Sequence, residues 1–133
     1  MSNLFDKSLP KTTSYWKEGN IFFIKNTSFI VNMEEGKAMA ELLIFAMKDK
    51  ETVCLLIDNR EAKGAWPKKV SQIWESNDAY ISSLQSKKMA TLTSSTVTMM
   101  QTNRLSRLHG METFSKAFNT DFNDEVKEFL LGK

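Results

Sequence analysis

The run Val53-Cys54-Leu55-Leu56-Ile57 is apolar at every position, and it meets Asp58, Asn59 and Arg60 without a spacer. Successive strand residues point to opposite sides of a sheet, so a strand with one wet face alternates apolar and polar. A strand that is apolar throughout is covered on both faces. That pattern predicts a central, parallel strand with helices over the sheet. The abrupt change to an acid, an amide and a base puts polar groups at the carboxyl end of that strand, where open α/β sheets bind ligands.

The flanking sequence supplies the other layers. Residues 1–14 are polar, contain Pro10, and read as a loose tail before a single domain over 15–133. Ile21–Ile24 and Ser28–Val31 are β-rich runs around Lys25-Asn26-Thr27, which predicts a hairpin. In "EEGKAMAELLIFAMKDK", Met39, Leu42, Leu43 and Ala46 follow helical spacing, with Glu34 and Glu35 in the first turn. Val70, Ile73, Trp74, Ile81 and Leu84 recur at three and four residues, which predicts one helix of about five turns opened by Pro67. Met89–Thr93 follows as a strand, then a helix capped by Ser94 or Ser95 through Val97, Met100, Leu105 and Leu108 to Gly110. "METFSKAF" makes a last strand. Asp121 caps a final helix carrying Phe122, Val126, Phe129 and Leu130. The order is β-β-α-β-α-β-α-β-α, an α/β chain with a mostly parallel sheet, an N-terminal β-hairpin and about four helices.

Bulk properties bound the function. A chain of 133 residues with net charge +2 suits one domain and gives no reason to expect nucleic acid or membrane binding. No apolar run approaches the roughly 20 residues that span a bilayer. The lone Cys54 forms no internal disulfide, and "MSNLFDKSLPKTTSY" lacks the apolar core of a signal peptide, so a cytoplasmic setting is expected.

Taken together, "YWKEGNIFFIK", "VCLLIDNREAKG", "KKMATLTSS" and "FNDEVKEFLL" resemble, in kind and order, the SpoIIAA-like fold. STAS domains (anti-sigma-factor antagonists) and lipid-binding CRAL-TRIO domains share this fold. The resemblance covers about residues 16–131 and is nearest to small bacterial STAS-like proteins. It implies a SpoIIAA-like sheet and a regulatory, protein-binding role. STAS antagonists carry a phosphorylatable serine where the loop after the central strand enters its helix. Here "KGAWPKKVSQ" offers no serine before Ser71, so the phosphoswitch does not carry over.

Candidate site residues are Asp58, Asn59 and Arg60 at the strand end, Trp66, eight residues before Trp74 and close to the same face of one helix, and Ser94 and Ser95 at a helix start. Each has a plainer reading. Asp58 can cap a turn or pair with a base, and the serines can cap a helix. A receiver-like reading joins Asp58, Thr93 or Ser94, and Lys116. It lacks the further carboxylates that Mg²⁺ would need, since "KNTS" follows the first strand. Arg60, Lys63, Lys68 and Lys69 form a basic patch that suits a solvated loop or an acidic protein partner. Trp66 and Trp74, with Met99, Met100 and nearby Phe residues, would serve a core or a lipid-type pocket. Cys54 reads as an inert core thiol, and His109 as a cation at a helix end.

No nucleophile–base set, phosphate loop or metal cluster stands out. The expectation is a non-enzymatic domain with no metal and no cofactor, acting through a protein partner. The alternative is a carrier of a small apolar ligand or lipid, signalled by an empty cavity beside Trp66 or Trp74. The four consecutive apolar residues of Ile21–Ile24, if on an edge, would leave a sticky patch. A homodimer through the hairpin would cover it, or else Leu4 and Phe5 folding back from the tail.

Overall fold

In the computed structural model, which describes residues 4–84, 86–108 and 110–132, the first hairpin turns at Gly19-Asn20. Gly19 takes φ +60, which a side-chain-bearing residue rarely adopts. The paired strands are β1 (Thr13–Glu18) and β2 (Ile21–Asn26), antiparallel, with Glu18 opposite Ile21. The hairpin expected between Ile21–Ile24 and Ser28–Val31 is therefore displaced upstream. Ser28 makes only an isolated bridge to Lys63, and Val31 is buried without joining the sheet. β1 starts inside the segment expected to be a tail, where Pro10 and Thr13 are already buried and Leu4–Lys7 forms a 3-10 turn. The side chains of Leu4 and Phe5 lie outside the described residues, as does His109.

α1 (Met33–Lys48) begins with a capping box. Asn32 accepts from the Glu35 N–H, and the Glu35 side chain accepts from the Asn32 N–H. At its far end the Lys87 ammonium donates to the carbonyls of Ala46 and Asp49, which also accept from the Asp49 and Thr52 backbone N–H groups. β3 (Cys54–Asp58) follows. Next come α2 (Lys68–Glu75) and α3 (Asp78–Ser83), where the spacing had predicted one helix. Asn77 separates them: its side chain accepts from the Tyr80 N–H and starts a new helix. Trp66 consequently stands before α2 rather than on it.

β4 (Lys88–Leu92), α4 (Thr96–Leu108), β5 (Ser115–Phe118) and α5 (Asp124–Leu131) complete the described chain. The Ser95 hydroxyl caps α4 by accepting from the Thr98 N–H. Asn123, not Asp121, caps α5, because its carbonyl oxygen accepts from Val126. The outer side of β5 is met by Asn103 of α4, whose carboxamide both donates to the Ala117 carbonyl and accepts from the Ala117 N–H.

The sheet order is β1-β2-β3-β4-β5, with all pairs after the first parallel. Right-handed crossovers that step in one direction place their helices on one face. α1 packs on β3 and against α2 and α3, and α4 packs on β5. α5 alone returns to the opposite face, over β3 and β4. Two apolar layers result. Phe22, Ile24 and Leu55 meet Leu42, Leu43 and Met47 of α1; Phe23, Leu56 and Leu92 meet Val126 and Leu130 of α5.

β2 is thus interior, and Ile21, Phe22, Phe23 and Ile24 are all buried within the chain. The exposed patch that a hairpin dimer would have covered is absent. The apolar residues of α4 behave oppositely: Val97, Met100 and Leu108 are 63%, 61% and 69% exposed, and Thr102 and Asn103 turn inward.

Candidate functional site

Alternation along the strands decides what the carboxyl edge can do. On β3, Leu55 and Ile57 face the α1 side, while Cys54 and Leu56 face α5. The same alternation sends Asn59 to the α1 side and Asp58 away from it. Asn59 lines a cavity of about 530 Å³ between the sheet and its helices. That volume is in the range of small-molecule sites. Trp66 and Trp74 both line it.

One wall is aromatic. The rings of Phe29 and Trp66 lie 4.6 Å apart, those of Trp66 and Trp74 4.9 Å apart at 75°, and Trp74 leads on to Tyr80 at 6.2 Å. Trp74 is held by its indole N–H, which donates to the Gly36 carbonyl at 2.8 Å. Gly36 permits this close helix contact, since a Cβ there would stand 2.7 Å from Val70 Cγ1. Met39, Leu42 and Leu43 of α1 extend the apolar surface.

The other wall is polar and begins with a hydrogen-bond relay. The Thr13 hydroxyl donates to Asn26 Oδ1 at 2.7 Å, and Asn26 Nδ2 donates to Asn59 Oδ1 at 2.8 Å. Asn26 is 3% exposed, so its amide depends on these partners. The Asn59 Nδ2 group makes no hydrogen bond to any described residue. Thr91, Thr98, Thr102 and Ser115 bring hydroxyls to the same wall. The Tyr80 phenol, pushed up to about 12 by burial, likewise has no hydrogen bond among the described residues. No Asp, Glu, Lys or Arg among the described residues lines the cavity.

Asp58 and Arg60 form a closed pair outside it. Arg60 Nε and Nη2 donate to the two Asp58 carboxylate oxygens, each at 2.9 Å, and the Arg60 backbone N–H adds a third bond at 3.1 Å. The guanidinium hydrogen bond holds the Asp58 carboxyl below its ordinary value. The acid after the buried strand thus clamps the turn that follows it. Lys116, the third member of the receiver-like reading, is exposed with its ammonium over the Phe118 ring.

Of the residues singled out in the sequence for a site or pocket, the cavity brings together Asn59, Trp66, Trp74 and Thr93. It leaves out Asp58, Arg60, Ser94 and Ser95; Ser94 is exposed and Ser95 caps α4. Met99 and Met100 are not on the wall, whereas Met39 and Met89 are. Thr13 and Asn26 were missed, because the true register of β1 and β2 is needed to see that they converge. Cys54 is fully buried, and burial pushes its thiol up to about 11, which suits an inert core residue. Lys63 on the loop and Lys68 and Lys69 at the start of α2 stay exposed.

No helix among the described residues is long and apolar enough to cross a membrane. No protein-family model matches this chain, and no curated protein matches it. Among solved structures, the chain is similar to one from Magnetospirillum magneticum AMB-1 named as an enoyl-CoA hydratase/carnithine racemase. That similarity has 14% identity and a TM-score of 0.46, over 63% of this chain and 38% of that one. This chain therefore spans well under half the length of the structure it matches, and the likeness identifies no family for it.

Proposed function

We propose that the chain is a non-enzymatic, SpoIIAA-like domain that binds a small molecule in the cavity beside Trp66 and Trp74. The cavity itself is the observation that carries this reading. Its described lining offers amides, hydroxyls and aromatic faces, and among those residues no group that titrates near neutrality, which suits holding a molecule rather than transforming one. The sequential parallel sheet with crossover helices on one face supports the SpoIIAA-like part.

Native mass spectrometry of the chain purified from its host tests this. A retained small molecule is expected, and it should be lost in Trp66→Ala. A bare chain, together with no quenching of tryptophan fluorescence by aromatic probes, refutes the reading.

A regulatory role through a protein partner is the second reading. It rests on the outer face of α4, where exposed Val97, Met100 and Leu108 accompany Arg104 and Arg107, in a helix without an acid. That face suits an acidic, amphipathic segment. Met100→Glu should then abolish capture of the partner without changing ligand binding.

A further inference from the structure

The relay that ends at Asn59 has a direction, and direction specifies chemistry. Thr13 donates to Asn26, and Asn26 donates to the Asn59 carbonyl oxygen. The Asn59 carbonyl oxygen thus already accepts one bond, while its N–H groups still have theirs to give. They make no bond to a described residue, and Asn59 lines the cavity. A donor fixed from behind by two buried groups is preorganised to meet an acceptor. Across the cavity, Trp66 and Trp74 present ring surfaces. No charged side chain among the described residues lines the space, so an ion entering it would lose water without gaining a countercharge from them.

Building on the binding role proposed above, we infer that the cavity selects an uncharged, ring-bearing molecule with a hydrogen-bond-accepting oxygen. The ring lies against Trp66 and Trp74, and the oxygen accepts from the Asn59 amide. Asn59 is a specificity-determining residue; Thr13 and Asn26 position it.

Three planar molecules of one shape test this: acetylnaphthalene (a neutral acceptor), isopropenylnaphthalene (no acceptor) and naphthoate (charged). Affinities are read by quenching of tryptophan fluorescence. The ketone should bind about tenfold more tightly than either analogue, the scale of one well-placed buried hydrogen bond. Asn59→Asp is nearly isosteric and keeps the acceptor for Asn26, but removes the donor. It should erase the ketone's tenfold advantage over the hydrocarbon. The infrared carbonyl stretch of the bound ketone gives a readout in the parent alone; it should move to lower frequency on binding. Naphthoate binding as well as the ketone overturns the inference. So does an unshifted carbonyl stretch, or an Asp variant that keeps the ketone preference. If all three bind without preference, the site stands and its selectivity is refuted. If none binds, the binding role and the inference fall together.

Discussion

On the α5 side, Phe23, Leu56, Leu92 and Phe118 close against Val126 and Leu130 in an apolar layer. On the other side the same strands start the same way, with Phe22, Ile24 and Leu55 on α1, but they end in Asn26, Asn59, Thr91 and Thr93 around a cavity. The two faces differ by a one-residue step along each strand. Alternation lets adjacent residues serve unlike ends: Leu92 is sealed in the core while Thr91 lines the cavity, and Asp58 clamps a turn while Asn59 meets the cavity. Stability and recognition are thus interleaved in sequence and separated in space.

The largest expected effect breaks the sheet beneath both faces. Leu55 is 0% exposed on β3, between β2 and β4. Leu55→Asp would bury a charge with no partner, at a cost of about 4 kcal/mol or more, and should abolish the cooperative thermal transition. A variant that melts like the parent removes β3 from the centre of the fold.

A paired substitution on β4 sharpens the comparison. Leu92→Ala removes a filled side chain and should cost about 3 kcal/mol in urea unfolding. Thr91→Val, one residue away, faces the cavity and should cost under about 1 kcal/mol. Reversal of that order would contradict the assignment of the sealed and open faces.

The smallest effect is on pH. Asp58 is held below its ordinary value chiefly by Arg60, and Asp49 chiefly by the Thr52 hydroxyl. A lowered folded value stabilises fully above the unfolded value, about pH 4, and the contribution is lost as pH falls from there through the folded values. Acid titration of stability should show this loss below about pH 4, and Arg60→Ala should reduce the part due to Asp58. Among the described residues the cavity holds no group that titrates near neutrality, so ligand affinity should stay flat from about pH 5 to pH 9 over the same protein. A step in affinity within that window would place a charge in the site.

The sequence made β3, α1 and the chain's alternation of strands and helices legible, since these rest on hydrophobic periodicity. The hairpin was misplaced because "NTSFIV" is apolar enough to read as a strand. The actual signal, Gly19-Asn20, is a two-residue turn flanked by the weakly patterned "TSYWKE". The break between α2 and α3 was hidden because Ile81 and Leu84 continue the spacing of Val70 and Trp74; only the Asn77 cap interrupts it. At the site, Asn59 stood out by its place after a buried run. Thr13 and Asn26 did not, since two small polar residues 13 apart become a relay only once β1 and β2 are paired. The Met and Val residues of α4 matched a core stripe, yet that helix turns Thr102 and Asn103 inward.

Asn103 spends both hydrogen bonds of the Ala117 peptide groups at the place where a sixth strand would dock. Sheets left open there can recruit like chains and grow into fibrils. That one carboxamide thus blunts the β5 edge at Ala117, where a like chain would otherwise find an open template.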